Sequence, residues 1–279
     1  MRKVILVFFF SLFGFAAIPQ TISLAKINDS SKGNKVLHLE AVLVVGNIEE
    51  STKSAIEEMN SLALVFMKNG IKVTKFYDKN TNWESIKVAA KTASFFVYSG
   101  HGSTLGINGA TGGLCLNKFI STEQILADLR LKKNALVLFK SVCRGAGSSA
   151  SDTKDIGIDE AVQRVTDYSY PFFSIGASCY YADNFTGGVD LFLTEFLDGK
   201  NVEECFKTST EYPDYKKSFK FDNKKQIYVS SNQSSGITTQ TTYVNGIKTV
   251  KKIPSFKEYN RALVGNPNYT IKDLTNELN

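Results

Sequence analysis

Apolar and polar positions along the chain alternate between two rhythms. Ala41-Val42-Leu43-Val44-Val45-Gly46 is a continuous apolar run, the pattern of a strand covered on both faces. Ile56, Met59, Ala63, Phe66 and Met67 follow at helical spacing, and Asn69-Gly70 closes that helix. Ile71 to Phe76 predicts a second strand, Trp83 to Ala93 a second helix, and Phe95 to Ser99 a third strand that runs into Gly100-His101-Gly102. Gly106, Gly109, Gly112 and Gly113 punctuate a hairpin-like excursion. Ser121 with Gln124 forms a capping box for a helix reaching Arg130. Ala135 to Val142 predicts a fourth strand ending at Cys143, and Phe172 to Ala177 a fifth. A helix follows from Gly188 to Leu197, closed by Gly199, and Asn201 with Glu204 caps another. Such alternation implies parallel βαβ units, an α/β fold with helices around a mainly parallel sheet.

The last third changes rhythm. Gln226 to Val229 and Thr238 to Val244 alternate as strands, and Asn245-Gly246 between apolar-alternating runs is a two-residue hairpin signal. Residues 215–255 are therefore expected to form a β-hairpin appendage, with 256–279 a return segment. Between Lys216 and Lys257 stand nine lysines against Asp222 alone, so the net charge of +6 is concentrated there and the rest is slightly acidic. Scattered lysines without an arginine-aromatic motif exclude a nucleic-acid reading. They suit a solvated face, or one that meets an acidic partner or an anionic surface.

The chain opens with Arg2-Lys3, an uncharged apolar stretch from Val4 to Ile18, and Ser23-Leu24-Ala25, the layout of a secretory leader over residues 1–25. That stretch is shorter than the roughly 20 apolar residues a membrane span needs, and no later segment is apolar enough. The expectation is a secreted or periplasmic protein with no transmembrane segment after cleavage. At 43% apolar and 22% charged residues, the chain as a whole has ordinary globular composition.

Candidate chemistry is concentrated in few residues. The chain has two histidines, His38 and His101, and four cysteines, Cys115, Cys143, Cys179 and Cys205. No Cys/His spacing suits zinc. Gly145-Ala146-Gly147-Ser148-Ser149 lacks the Gly-Lys-Ser/Thr of a phosphate loop, and Gly100-x-Gly102 lacks the third glycine of a dinucleotide turn. His101 and Cys143 both follow predicted strands, where open α/β sheets place their chemistry. Cys179 is the second candidate nucleophile, without a fitting His-Gly upstream. Cys115 and Cys205 read as packing residues.

Strand, His-Gly, spacer, strand, x-Cys resembles the clan of cysteine peptidases that includes caspases, gingipains and clostripain. Val142-Cys143-Arg144-Gly145 is similar to the caspase Ala-Cys-Arg-Gly signature, and Leu263-Val264-Gly265-Asn266-Pro267 resembles the Gly-Asp-Pro turn of gingipain-like proteins. The resemblance spans about residues 41–210 and lies nearer the bacterial members. It implies a caspase-like sandwich over residues 26–214 and a secreted endopeptidase acting on polypeptides through a Cys-His dyad without cofactor or metal. Cys143 would be the nucleophile and His101 the general acid, with the amides of Gly102 and Cys143 as oxyanion donors. Ser141, two before the nucleophile, and Asp183 would line the substrate pocket; Asp152, Asp155 and Asp159 are alternatives to Asp183. A preference for Lys or Arg before the scissile bond is expected. The alternatives are a catalytically idle caspase-like binding domain and a nucleotide-binding α/β protein.

Overall fold

The computed structural model describes residues 39–104, 110–184, 187–209, 215–233, 238–244 and 247–275. In chain order the first half runs β1 (Glu40–Val45), α1 (Thr52–Lys68), β2 (Lys72–Tyr77), α2 (Trp83–Ala90), β3 (Phe95–Ser99), β4 (Leu114–Cys115), β5 (Phe119–Ile120), α3 (Thr122–Asp128) and β6 (Ala135–Phe139). The second half runs α4 (Ile158–Ser174), β7 (Ala177–Asp183), α5 (Gly188–Leu197), α6 (Val202–Ser209), β8 (Tyr215–Phe219), β9 (Asp222–Gln233), β10 (Thr238–Val244), β11 (Ile247–Ile253) and β12 (Lys257–Gly265).

Eight strands form one sheet in the order β2-β1-β3-β6-β7-β12-β9-β8. The first five are mutually parallel, and β12, β9 and β8 add antiparallel. Strand pleating sends alternate side chains into two cores. Val42, Val44, Phe96 and Tyr98 meet Trp83, Ile86, Ile125, Val165 and Phe172 of α2, α3 and α4 on one face. Leu43, Val45, Phe95 and Val97 meet Met59, Phe66, Phe192 and Phe206 of α1, α5 and α6 on the other. The result is an α/β sandwich of a mainly parallel sheet between helix layers, with an antiparallel hairpin near the C-terminus, consistent with the caspase-like architecture. Among the described residues no helix is long and apolar enough to cross a membrane.

Local chemistry sets the helix ends. Asn82 accepts from the Ser85 amide at 2.9 Å to start α2. Ser121 and Gln124 form the reciprocal capping box of α3. Asn201 and Glu204 exchange backbone-to-side-chain bonds of 3.1 and 2.9 Å at α6. Gly199, at φ +97°, lets the chain leave α5 where an L side chain would be strained.

Two expectations are corrected. Phe172 to Ala177 is not a strand: Phe172-Phe173-Ser174 is the last turn of α4, Gly176 turns the chain at φ +124°, and β7 begins at Ala177. Ala161, Val165, Tyr168 and Phe172 recur on one helical face, and their burial under the sheet keeps α4 helical across Pro171. The appendage expected over 215–255, and the domain boundary at 214, also shift. β8 and β9 extend the main sheet because β12 returns between β7 and β9 and offers both edges, so only the β10–β11 ribbon stands apart. Its flanks pair through Val244 and Ile247, while the Asn245-Gly246 turn and the expected leader over 1–25 lie outside the described residues. Lys216 and Lys217 are exposed on the edge strand β8, where charge discourages further strand pairing.

Candidate active site

β3 and β6 are neighbours in parallel register, Tyr98 opposite Phe139, and their ladder closes where the Lys140 amide donates to the Tyr98 carbonyl at 2.9 Å. His101 and Cys143 lie just beyond these two C-terminal ends. Gly102 packs directly on Cys143: a Cβ there would fall 1.7 Å from the Cys143 carbonyl oxygen and 3.0 Å from its Cβ. Any side chain at position 102 would thrust the two segments apart, so the bare backbone is what brings the His-Gly and Cys segments together. Among the described residues neither the Gly102 nor the Cys143 amide donates to a protein acceptor.

The His101 ring is 46% exposed, and its Nε2 lies 2.8 Å from Glu49 Oε2. Glu49 begins a short 3-10 turn after β1, at φ 46°, and its amide donates to Asn47 Oδ1 at 2.9 Å. A carboxylate there favours a proton on Nε2 and leaves Nδ1 to exchange one with a substrate group. The sequence reading did not single out Glu49, since Ile48-Glu49-Glu50 looks like any polar exit from a strand. The available signal was topological: β1 pairs with β3, so residues beyond both ends become neighbours.

The turn that carries Cys143 has an unusual backbone. Ser141 (φ 55°) and Arg144 (φ 66°) are both left-handed, a conformation that persists in non-glycine residues only when its surroundings enforce it. The Ser141 amide donates to Asp183 Oδ1 at 2.9 Å, and the Arg144 amide to the Ser148 carbonyl at 2.7 Å. Tyr180 Oη donates to the Gly145 carbonyl at 2.8 Å. Ser148 exchanges two bonds of 2.8 Å with Tyr259 of β12. Arg164 of α4 donates to the Gly147 carbonyl at 3.1 Å and pairs with Asp152 at 2.9 Å.

Beneath the two loops lies an aromatic floor. The Phe139 ring has Tyr98, Tyr168, Phe172 and Tyr180 within 5.1–5.5 Å. Three of these turn a hydroxyl upward. Tyr98 Oη lies 3.2 Å from the His101 carbonyl, Tyr168 Oη accepts from the Ser103 amide at 2.6 Å, and Tyr180 holds Gly145. Both loops are thus pinned to one rigid cluster, which fixes their relative position.

The remaining candidates sort by burial. Cys179 is in the interior of β7 and fully buried, not at a strand end, and burial pushes its thiol well above the usual range. Burial also raises Cys115, and raises Cys205 to about 12. A thiol held protonated is a poor nucleophile. Cys143 is half-buried, and all four cysteines are unpaired.

Asp183, the last residue of β7, is fully buried, and its two oxygens accept from the Ser141 and Val189 amides at 2.9 and 2.8 Å. Burial raises its carboxyl to about 6, opposed by those amides and by Lys140. Its visible work is to hold the Ser141 turn. Of the alternatives, Asp152 binds Arg164 and the Ser149 amide, and Asp155 accepts from the Gly157 amide at 2.8 Å. Asp159 lies in the first turn of α4. Lys140, almost wholly buried, is paired with Asp190 and lies 3.6 Å from Glu58, whose carboxylates stay 40% and 55% exposed. Both carboxylates thus surround the Lys140 ammonium, one residue before Ser141.

No protein-family model matches this chain, and no curated protein matches it in sequence.

Proposed function

We propose that this chain is an exported cysteine endopeptidase in which Cys143 and His101 form the catalytic dyad. The observation that carries the reading is the seating of Gly102 on Cys143 at the ends of adjacent parallel strands. It brings the backbone next to the candidate base against the candidate nucleophile, beside two amides that among the described residues have no protein acceptor. The resemblance to caspase- and gingipain-type peptidases supports the same assignment from the order of the motifs.

In this reading the Cys143 thiolate attacks the scissile carbonyl carbon, and the developing oxyanion accepts from the Gly102 and Cys143 amides. His101 protonates the departing amine as the C–N bond breaks, leaving an acyl-enzyme. It then takes a proton from water as the water oxygen attacks the thioester carbonyl; the C–S bond breaks, the carboxylic acid product leaves, and the Cys143 thiolate and protonated His101 are restored. Glu49 holds the imidazole through Nε2 and so fixes its tautomer and orientation. Ser141 leaves a small neutral wall at the substrate, and the slightly acidic balance of the chain outside its lysine-rich segment favours a basic side chain before the scissile bond.

An electrophilic peptide probe with arginine before its reactive group tests this. Cys143 should label far faster than Cys115, and His101→Ala should cut the rate roughly 100-fold, the scale of a lost general acid–base. Equal labelling of Cys143 and Cys115 would refute the peptidase and leave an idle binding cleft.

A further inference from the structure

The turn joining β8 to β9 carries the largest exposed aromatic surface of the described residues that is also ringed by cations. Phe221 is 52% exposed at its tip and lies against Tyr170 of α4, itself 37% exposed, with ring centroids 4.2 Å apart and 37° between planes. Phe219 supports the pair from below, its ring 5.5 Å from that of Phe221, and Phe173 lies 5.4 Å from Phe219. Lys220 Nζ lies 4.8 Å from the Phe221 ring centroid, and Lys225 Nζ 5.2 Å from that of Phe173. Lys217 is opposite Ile227 in the ladder, and Ile227 belongs to the core under α4, so Lys217 shares this side of the sheet. Lys224 is exposed in the same turn region.

We infer that this turn docks the protein on an anionic phospholipid bilayer. Half-exposed aromatic rings flanked by lysines match the interface of such a membrane, where rings bury among headgroups and ammonium groups meet phosphates. The carboxylates beside it, Asp222 paired with Lys225 and Asp167 close to Lys220, are outnumbered by Lys217, Lys220, Lys224 and Lys225. Position supports the same occupant. β8 is the outermost strand, so its turn forms a corner and not a groove of the kind that receives a peptide. β9 runs parallel to β7 through their shared antiparallel partner β12, so the turn preceding β9 lies at the N-terminal edge of the sheet. His101 and Cys143 lie beyond the opposite edge. Docking at this corner leaves their cleft facing away from the lipid, and the inference stands whether or not Cys143 is catalytic.

The test is sedimentation of the full chain with vesicles of phosphatidylcholine alone or with about a third phosphatidylglycerol, at low and moderate salt. Apolar residues near the N-terminus contribute equally to every variant, so comparison between variants isolates the turn. Partitioning should require phosphatidylglycerol and weaken with salt. Phe221→Ser should lower it about tenfold, the equivalent of losing one half-buried ring. Lys217→Glu with Lys220→Glu should lower it tenfold or more. Cooperative thermal melting is the folding control and should be retained in both variants. Partitioning that ignores phosphatidylglycerol, or that both variants retain, overturns the inference. Vesicle-free, concentration-dependent association lost in Phe221→Ser would assign the corner to a second copy of the chain and also overturn it.

Discussion

Replacing Gly102 with alanine tests the geometry of the site through a single methyl group. The added Cβ would lie 1.7 Å from the Cys143 carbonyl oxygen, where ordinary contact begins at 3.4 Å, and the obstacle is backbone, which cannot rotate away. The His-Gly and Cys segments must therefore separate by roughly 1.5 Å, and displacements of that order lower rates about 100-fold when groups must meet in a defined geometry. Overpacking of this kind destabilises by about 1–3 kcal/mol. For a domain of this size each kcal/mol lowers the melting temperature by about 2–4 °C. The second-order rate of Cys143 labelling should thus fall about 100-fold while the variant still melts cooperatively. Gly187→Ala is the control, because a Cβ there meets nothing within 4 Å. Labelling of Gly102→Ala within threefold of the unsubstituted chain would refute the proposed convergence of the two segments.

Glu49→Gln should slow labelling by roughly tenfold, less than His101→Ala, since the amide still offers Nε2 an acceptor but can also turn its NH2 toward the ring and hold it less firmly; an unchanged rate would remove Glu49 from the site. Asp183, raised by burial to about 6 from an unfolded value near 4, binds its proton more tightly in the folded state. Its contribution to stability is therefore greatest below pH 4 and is lost as pH rises to 6. Melting temperatures should show the stability of the native chain relative to Asp183→Asn declining across that window, and a constant difference would disprove the linkage. Removing residues 238–253 should leave a folded chain that labels at Cys143, whereas removing 222–233 should abolish folding, because β9 bridges β12 and β8; a stable product of the second deletion would contradict the sheet order.

The strands that carry the site were legible because each is a short, wholly apolar run with a polar, glycine-containing exit. That pattern places His101 and Cys143 without knowledge of the rest. Helix ends were legible where a side chain satisfies a backbone group locally, as at Ser121 and Asn201. Phe172 to Ala177 misled because six residues of apolar sequence fit a buried strand and a final helical turn alike, and the deciding contacts come from the sheet beneath α4. Placing the strand too early also put Cys179 at its end instead of its interior. The membership of β8 and β9 in the main sheet depends on pairing with residues 257–265, which no window around 215–233 contains. Glu49 and the Tyr168 and Tyr180 hydroxyls were invisible for the same reason: their partners are distant in sequence, 52 residues for Glu49 and His101, 65 for Tyr168 and Ser103, and 35 for Tyr180 and Gly145.

The position of β12 has a consequence for the order of assembly. A chain emerging from the ribosome can complete β2, β1, β3, β6 and β7 as successive parallel units, but β7 then ends the sheet with an unpaired edge. β8 and β9 have no sheet to join until residues 257–265 arrive between them and β7. The same late segment supplies Tyr259, which holds Ser148, and Asn260, whose carbonyl receives the Asn184 amide at 2.8 Å. The turn bearing Cys143 is thus braced by a strand that lies 111 residues downstream of Ser148. A nascent chain that has not yet reached residues 257–265 carries both segments yet lacks the brace that holds them in register, so the geometry of this turn waits on a distant strand.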